Sequence, residues 1–159
     1  MMGEETMLGI SACLGGIACR YDGQSNEILL LKEWVKTNQA IVVCPEVLGG
    51  LPTPRTPAEI QGGDGFDVWN DSAKVIDKKG NDVTEAFKEG AILAFEQLQR
   101  LQVTELILKE KSPSCGSNRI YDGSFSGNRI NGVGVATAYF MQKGIAIYSE
   151  ENWQEMRMT

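Results

Sequence analysis

The stretch "AIVVCPEVLGG", residues 40–50, runs from a short β-branched segment straight into a cysteine, a proline and a glutamate, and then into glycines. Four apolar residues rich in valine and isoleucine suit a buried strand, and proline with paired glycines ends it. Cys44 therefore sits where a strand stops, with Glu46 two residues beyond it. The same arrangement recurs upstream, where "MLGISA", residues 7–12, reads as a first strand followed by Cys13 in a glycine-containing turn. It recurs downstream, where "ELILKE", residues 105–110, reads as a strand followed by "KSPSCG" and Cys115.

Between these strands the apolar period changes. Residues 26–38 place Ile28, Leu31 and Val35 at helical spacing, with Ser25 or Asn26 as N-cap. From Asp82 onward, Phe87, Ala91, Ala94, Leu98 and Leu101 fall on one helical face, with Asp82 and Glu85 at capping-box spacing. "AKVID", residues 73–77, suits a further strand. "VATAYFMQK" reads as a helix stopped by Gly144 and followed by a last strand, "IAIYS". Strands alternating with helices predict one α/β domain over residues 1–159, with an open, mostly parallel sheet and helices on both faces, a Rossmann-like three-layer sandwich.

Composition narrows the partners. The 42% hydrophobic and 23% charged content is that of a globular chain, and no apolar run is long enough to cross a bilayer. A net charge of −6 without a basic cluster argues against a nucleic-acid face and for a small substrate. The acidic rather than basic start, "MMGEETMLGISACLGG", makes a cytoplasmic location the expectation, where thiols stay reduced. There is no histidine, so Ser-His and Cys-His pairs and the mixed zinc sites are excluded.

Cys13, Cys44 and Cys115 all follow the carboxyl ends of predicted strands, the edge at which open α/β sheets bind ligands. Their separations are too long for a local finger or ferredoxin run, so only the fold could assemble them. Soft thiolates suit zinc, copper(I) or iron-sulfur, and three of them on a 4Fe-4S cluster leave one iron open. Cys19, in "ACRYDG", is the remaining thiol. Glu46 is a candidate general base, and Ser112 and Ser114 are candidate hydroxyl donors or turn formers. Arg20, Arg55, Arg119 and Arg129 lie in loops, as suits a site holding negative charge. "GNRINGVG" lacks the lysine of a phosphate loop and the spacing of a dinucleotide fingerprint.

Four blocks spread along the chain, "ISACLGGIACRYDG", "CPEVLGGLPTPRTPAEI", "KSPSCGSNRIYDGSFSG" and "GVGVATAYF", resemble the bacterial thiouracil desulfidase family, once catalogued as a domain of unknown function. The resemblance implies a 4Fe-4S cluster on Cys13, Cys44 and Cys115, leaving Cys19 out, and catalytic roles for Glu46 and Ser112. It implies non-redox removal of sulfur from a small thiolated base such as 2-thiouracil, giving the oxo base and hydrosulfide. Ser114, Arg20, Asp22 and Arg55 complete the set as candidate substrate contacts. One departure is Gly15, where the family usually has leucine, which is expected to reshape the pocket wall. Two other readings stay open: another cluster- or zinc-dependent hydrolase or lyase, and a non-catalytic cluster or thiol sensor responding to oxidant.

Overall fold

A computed structural model describes residues 8–15, 22 and 28–154. Four strands, β1 (Leu8–Ser11), β2 (Ala40–Val43), β5 (Glu105–Leu108) and β8 (Ala146–Ser149), form a parallel sheet in the order β2-β1-β5-β8. Each strand alternates between two apolar layers. Leu8, Ile10, Ala40 and Ile107 pack on one face with Leu31 of helix α1 (Leu29–Lys36). Val43, Leu106 and Leu108 pack on the other with Ala91, Ala94 and Leu98 of α4 (Thr84–Arg100) and Phe140 of α5 (Val135–Gln142). The expected open α/β architecture with helices on both faces is therefore present. No helix among the described residues is long and apolar enough to cross a membrane.

Several elements depart from the sequence-based expectation. The strand at 73–77 is β4 (Lys74–Asp77), but it pairs antiparallel with β3 (Ala58–Gln61) in a separate ribbon. A second ribbon joins β6 (Arg119–Tyr121) to β7 (Arg129–Asn131). Helix α4 starts at Thr84, and Asp82 accepts the Thr84 N–H at 2.9 Å in a turn just before it, so no capping box forms with Glu85. The reciprocal box lies on α3 (Gly65–Trp69), between Asp64 and Asp67, where aspartate replaces the usual glutamate and hides the signal. Leu101 is 45% exposed beyond the helix end rather than on its buried face. Ser25 and Asn26 lie outside the described residues, and α1 begins after Ile28 without a side-chain cap.

Two packing features position the loops at the carboxyl edge. Short helix α2 (Pro45–Leu48) rests against α4 so closely that a Cβ on Gly90 would fall 1.9 Å from the Pro45 carbonyl oxygen. The loop after β5 winds around Glu110, which is 2% exposed and accepts six hydrogen bonds, from Lys111, Arg119, Ser117 and Asn118, the last two giving both backbone and side-chain donors. Burial penalises the charged form of Glu110, but the Asn118, Arg119 and Ser117 donors outweigh it and hold the carboxyl below its ordinary value.

Gly90→Ala is expected to force α2 off α4 and to destabilise the fold by about 1–3 kcal/mol, measurable by chemical denaturation. For Glu110 the depressed folded pKa means that the unfolded chain binds a proton more readily. Its contribution is thus complete above the ordinary carboxylate range and is lost as pH falls through the folded value. Glu110→Gln is expected to lower the melting temperature near neutrality and to flatten its fall between about pH 5 and pH 3.

Candidate active site

Parallel pairing carries the ends of β2, β1 and β5 to one edge as neighbours. Ser11 pairs with Val43 in register, and Ser11 Oγ accepts the Lys109 N–H at 2.9 Å, which ties the ends of β1 and β5 together. Cys13 follows β1 in a buried 3-10 turn, Ala12–Gly15. Cys44 follows β2 as the residue capping α2, whose first helical position is Pro45, a residue suited to it by fixed φ. Glu46 is thereby set in the first turn of α2.

Cys115 is held by its loop. Ser112 Oγ accepts the N–H groups of Ser114 at 3.0 Å and Cys115 at 3.1 Å. The carbonyls of Pro113 and Ser114 accept the N–H groups of Val135, Ala136 and Thr137, which satisfies helix donors that have no intrahelical acceptor. The "SPSCG" and "GVGVATAYF" segments are therefore one structural unit.

These elements enclose a cavity of about 830 Å³ lined by Cys13, Cys44, Cys115, Glu46, Arg55 and Ser112 among others. The Arg55 side chain is 7% exposed, and its guanidinium meets Glu46 Oε2 at 3.1 Å. It also donates to the Pro52 carbonyl at 3.1 Å and to Thr53 Oγ1 at 3.2 Å, so the pair is anchored on the Arg55 side. Burial pushes the Cys115 thiol well above its ordinary value, and negative charge on Glu46, Cys44 and Cys13 pushes the same way. The three thiols and the carboxylate thus feel one another across the cavity. Among the described residues, no three Cys, Asp or Glu side chains gather as a single metal ion would need.

Other candidates are placed elsewhere. Ser114 is fully buried and is not part of the cavity lining. Asp22 is exposed and does not line the cavity, and Arg20 and Cys19 lie outside the described residues. Arg119 and Arg129 are exposed on the β6–β7 ribbon, so of the described loop arginines only Arg55 lines the cavity. Gly15 packs against Val42, Ile10 and Val35 in the core, not on the cavity wall; a Cβ there would already lie 3.0 Å from Val42. Sequence reasoning missed Glu59, Glu110, Tyr121 and Phe125, which also line the cavity. The rings in "YDGSFSG" were the available signal, since aromatics set among glycines mark a loop built around something.

Comparison with known proteins agrees with this geometry. The family model described as 2-thiouracil desulfurase matches residues 8–152. An uncharacterised protein of Bacillus subtilis (strain 168), YbbK, is 45% identical over 150 residues, covering 94% of this chain and 99% of its own. A solved structure, the 4Fe-4S-dependent thiouracil desulfidase TudS, superposes with a TM-score of 0.85 at 41% identity, covering 96% of each chain. Strand-end thiols, the carboxylate beside them and matches over nearly the whole length lead to one conclusion: the chain belongs to the 2-thiouracil desulfurase family.

Proposed function

We propose that the chain is a desulfidase that exchanges the sulfur of a thiolated pyrimidine such as 2-thiouracil for oxygen, with a 4Fe-4S cluster held by Cys13, Cys44 and Cys115. The observation that carries this reading is that the three strand-end thiols share one cavity with Glu46. TudS, the structural relative, is 4Fe-4S-dependent.

The residues present suit such a group. Three thiolates are a soft donor set, and their spread around a cavity fits a polynuclear centre better than one ion. Burial and the neighbouring negative charges keep Cys115 protonated, a penalty that bound iron would reverse by its own positive charge. Ser114 Oγ is buried with no hydrogen-bond partner of normal geometry, yet it lies near enough to Cys115 to favour that thiolate. When bound, the cluster supplies a Lewis-acidic iron with an open position, which draws electron density from a thiocarbonyl sulfur.

The remaining work falls to the chain. Glu46, its Oε2 held by Arg55, takes a proton from water as the water oxygen bonds to the ring carbon. The carbon–sulfur bond then breaks, hydrosulfide leaves and the oxo base forms, with no net change in oxidation state. Glu46 gives its proton to the departing sulfur, which leaves as hydrosulfide, and returns to carboxylate, while the proton left on the new carbon-bound hydroxyl passes to solvent as the C=O bond forms. Ser112 Oγ already accepts two N–H groups, so its remaining capacity is the hydroxyl proton, which can be donated to the substrate.

Anaerobic reconstitution with iron and sulfide is expected to give about four irons per chain and to yield an enzyme that releases sulfide from 2-thiouracil without an electron donor. Serine at Cys13, Cys44 or Cys115 is expected to lower iron content sharply, whereas Cys19→Ser leaves it unchanged. Full loading of Cys115→Ser would remove that residue from the ligand set. Glu46→Gln is expected to keep the cluster's absorbance and to lose about 100-fold or more in kcat; wild-type turnover in that variant would sink its role as base.

A further inference from the structure

The wall of the cavity is made in part by the tip between β6 and β7. Among the described residues, three aromatic rings line the cavity: Phe87, which is 2% exposed in the core, and Tyr121 and Phe125, both half-buried. Phe125 has φ +56°, the left-handed region that a bulky side chain adopts only when its surroundings impose it. The imposing group is identifiable. Glu59 Oε1, on β3, accepts the N–H of Phe125 at 3.1 Å and that of Gly123 at 2.9 Å. Gln61 Nε2 donates to the Gly123 carbonyl at 3.0 Å, and Gly123 lies so close to β3 that a Cβ would meet the Ile60 oxygen at 2.6 Å. The tip is thus pinned to the ribbon by backbone contacts that do not depend on which side chain stands at position 125. Sterically cheaper residues would satisfy those bonds, yet a phenyl ring occupies the strained position and lines the cavity.

We propose that Phe125, held in its left-handed conformation by Glu59, is the ring on which the planar substrate stacks, and is a specificity-determining residue of this site. This rests on the desulfidase reading given above, since a thiolated pyrimidine has the flat π-face that such a ring recognises. Glu59 is the positioning residue: among the described residues its carboxylate accepts hydrogen bonds from loop backbone, so it acts through Phe125 and takes no proton in the reaction.

The test is steady-state kinetics of the cluster-loaded enzyme on 2-thiouracil, together with calorimetric binding of uracil, the unreactive oxo analogue. Phe125→Ala is expected to raise KM and weaken uracil binding about ten-fold or more, with kcat within about three-fold. Phe125→Tyr is expected to restore both, and Phe125→Leu, which keeps apolar bulk without a π-face, is expected to restore neither. Glu59→Ala is expected to shift KM as Phe125→Ala does, and Glu59→Gln, which retains an acceptor oxygen, less so. A wild-type enzyme that loads iron but releases no sulfide from 2-thiouracil would overturn the functional reading and this proposal together. An active wild type whose KM and uracil affinity survive in Phe125→Ala would overturn this proposal alone. A collapse of kcat in Glu59→Gln would reassign Glu59 as a catalytic group.

Discussion

Parallel pairing of β2, β1 and β5 is the constraint on which the site depends, because parallel neighbours all end at the same edge. Residues far apart in the chain, Cys13, Cys44 and Cys115, come to line one cavity through that pairing. The sheet is in turn held by its two apolar layers, so the chemistry is only as well placed as the alternation of Leu8, Ile10, Leu106, Ile107 and Leu108 between faces.

The cavity also gathers charged side chains of both signs around the thiols. Three thiols and the carboxylates of Glu46, Glu59, Asp77 and Glu110 border it together with Arg55, Lys78, Lys109 and Lys111, and Arg55 is deeply buried against Glu46. Burial is the main reason the Cys115 thiol resists ionising, and the negative charge of Glu46 adds to it. Glu110 handles the same problem differently. Its charge is neutralised by a ring of N–H donors, and the loop bearing Cys115 takes its shape from them.

Legibility in the sequence followed the physics of each signal. β1, β2, β5 and α4 show as periodic apolar runs, and the strand-end cysteines stand out because thiols, prolines and glycines rarely coincide by packing alone. β3, β6 and β7 (AEIQ, RIY and RIN) were missed because polar and charged residues flank or interrupt one or two apolar ones, leaving no apolar run, and α3 because five residues are too few for a helical period to register. The cap on α4 was misread because Asp82 serves a turn, while the box on α3 uses aspartate at both positions. The loop arginines show the limit of composition. Arg55 enters the cavity through its ion pair, whereas Arg119 and Arg129 are exposed on a ribbon that no local pattern announces. Glu110 was legible only as the end of a strand, since the donors that define it lie up to nine residues on.

The two sides of the cavity are built on different principles. The thiol side is suspended from the hydrophobic sheet, where a one-residue slip would turn every side chain over. The rest of the lining drawn from residues 51–58 and 121–127 is fastened by polar bonds from Glu46, Glu59 and Gln61 to Arg55 and to loop backbone. The Arg55–Glu46 ion pair ties the two together, so a change in the 51–58 segment that removed Arg55 would reach the thiol side through Glu46, whereas a change in 121–127 would leave that tie in place.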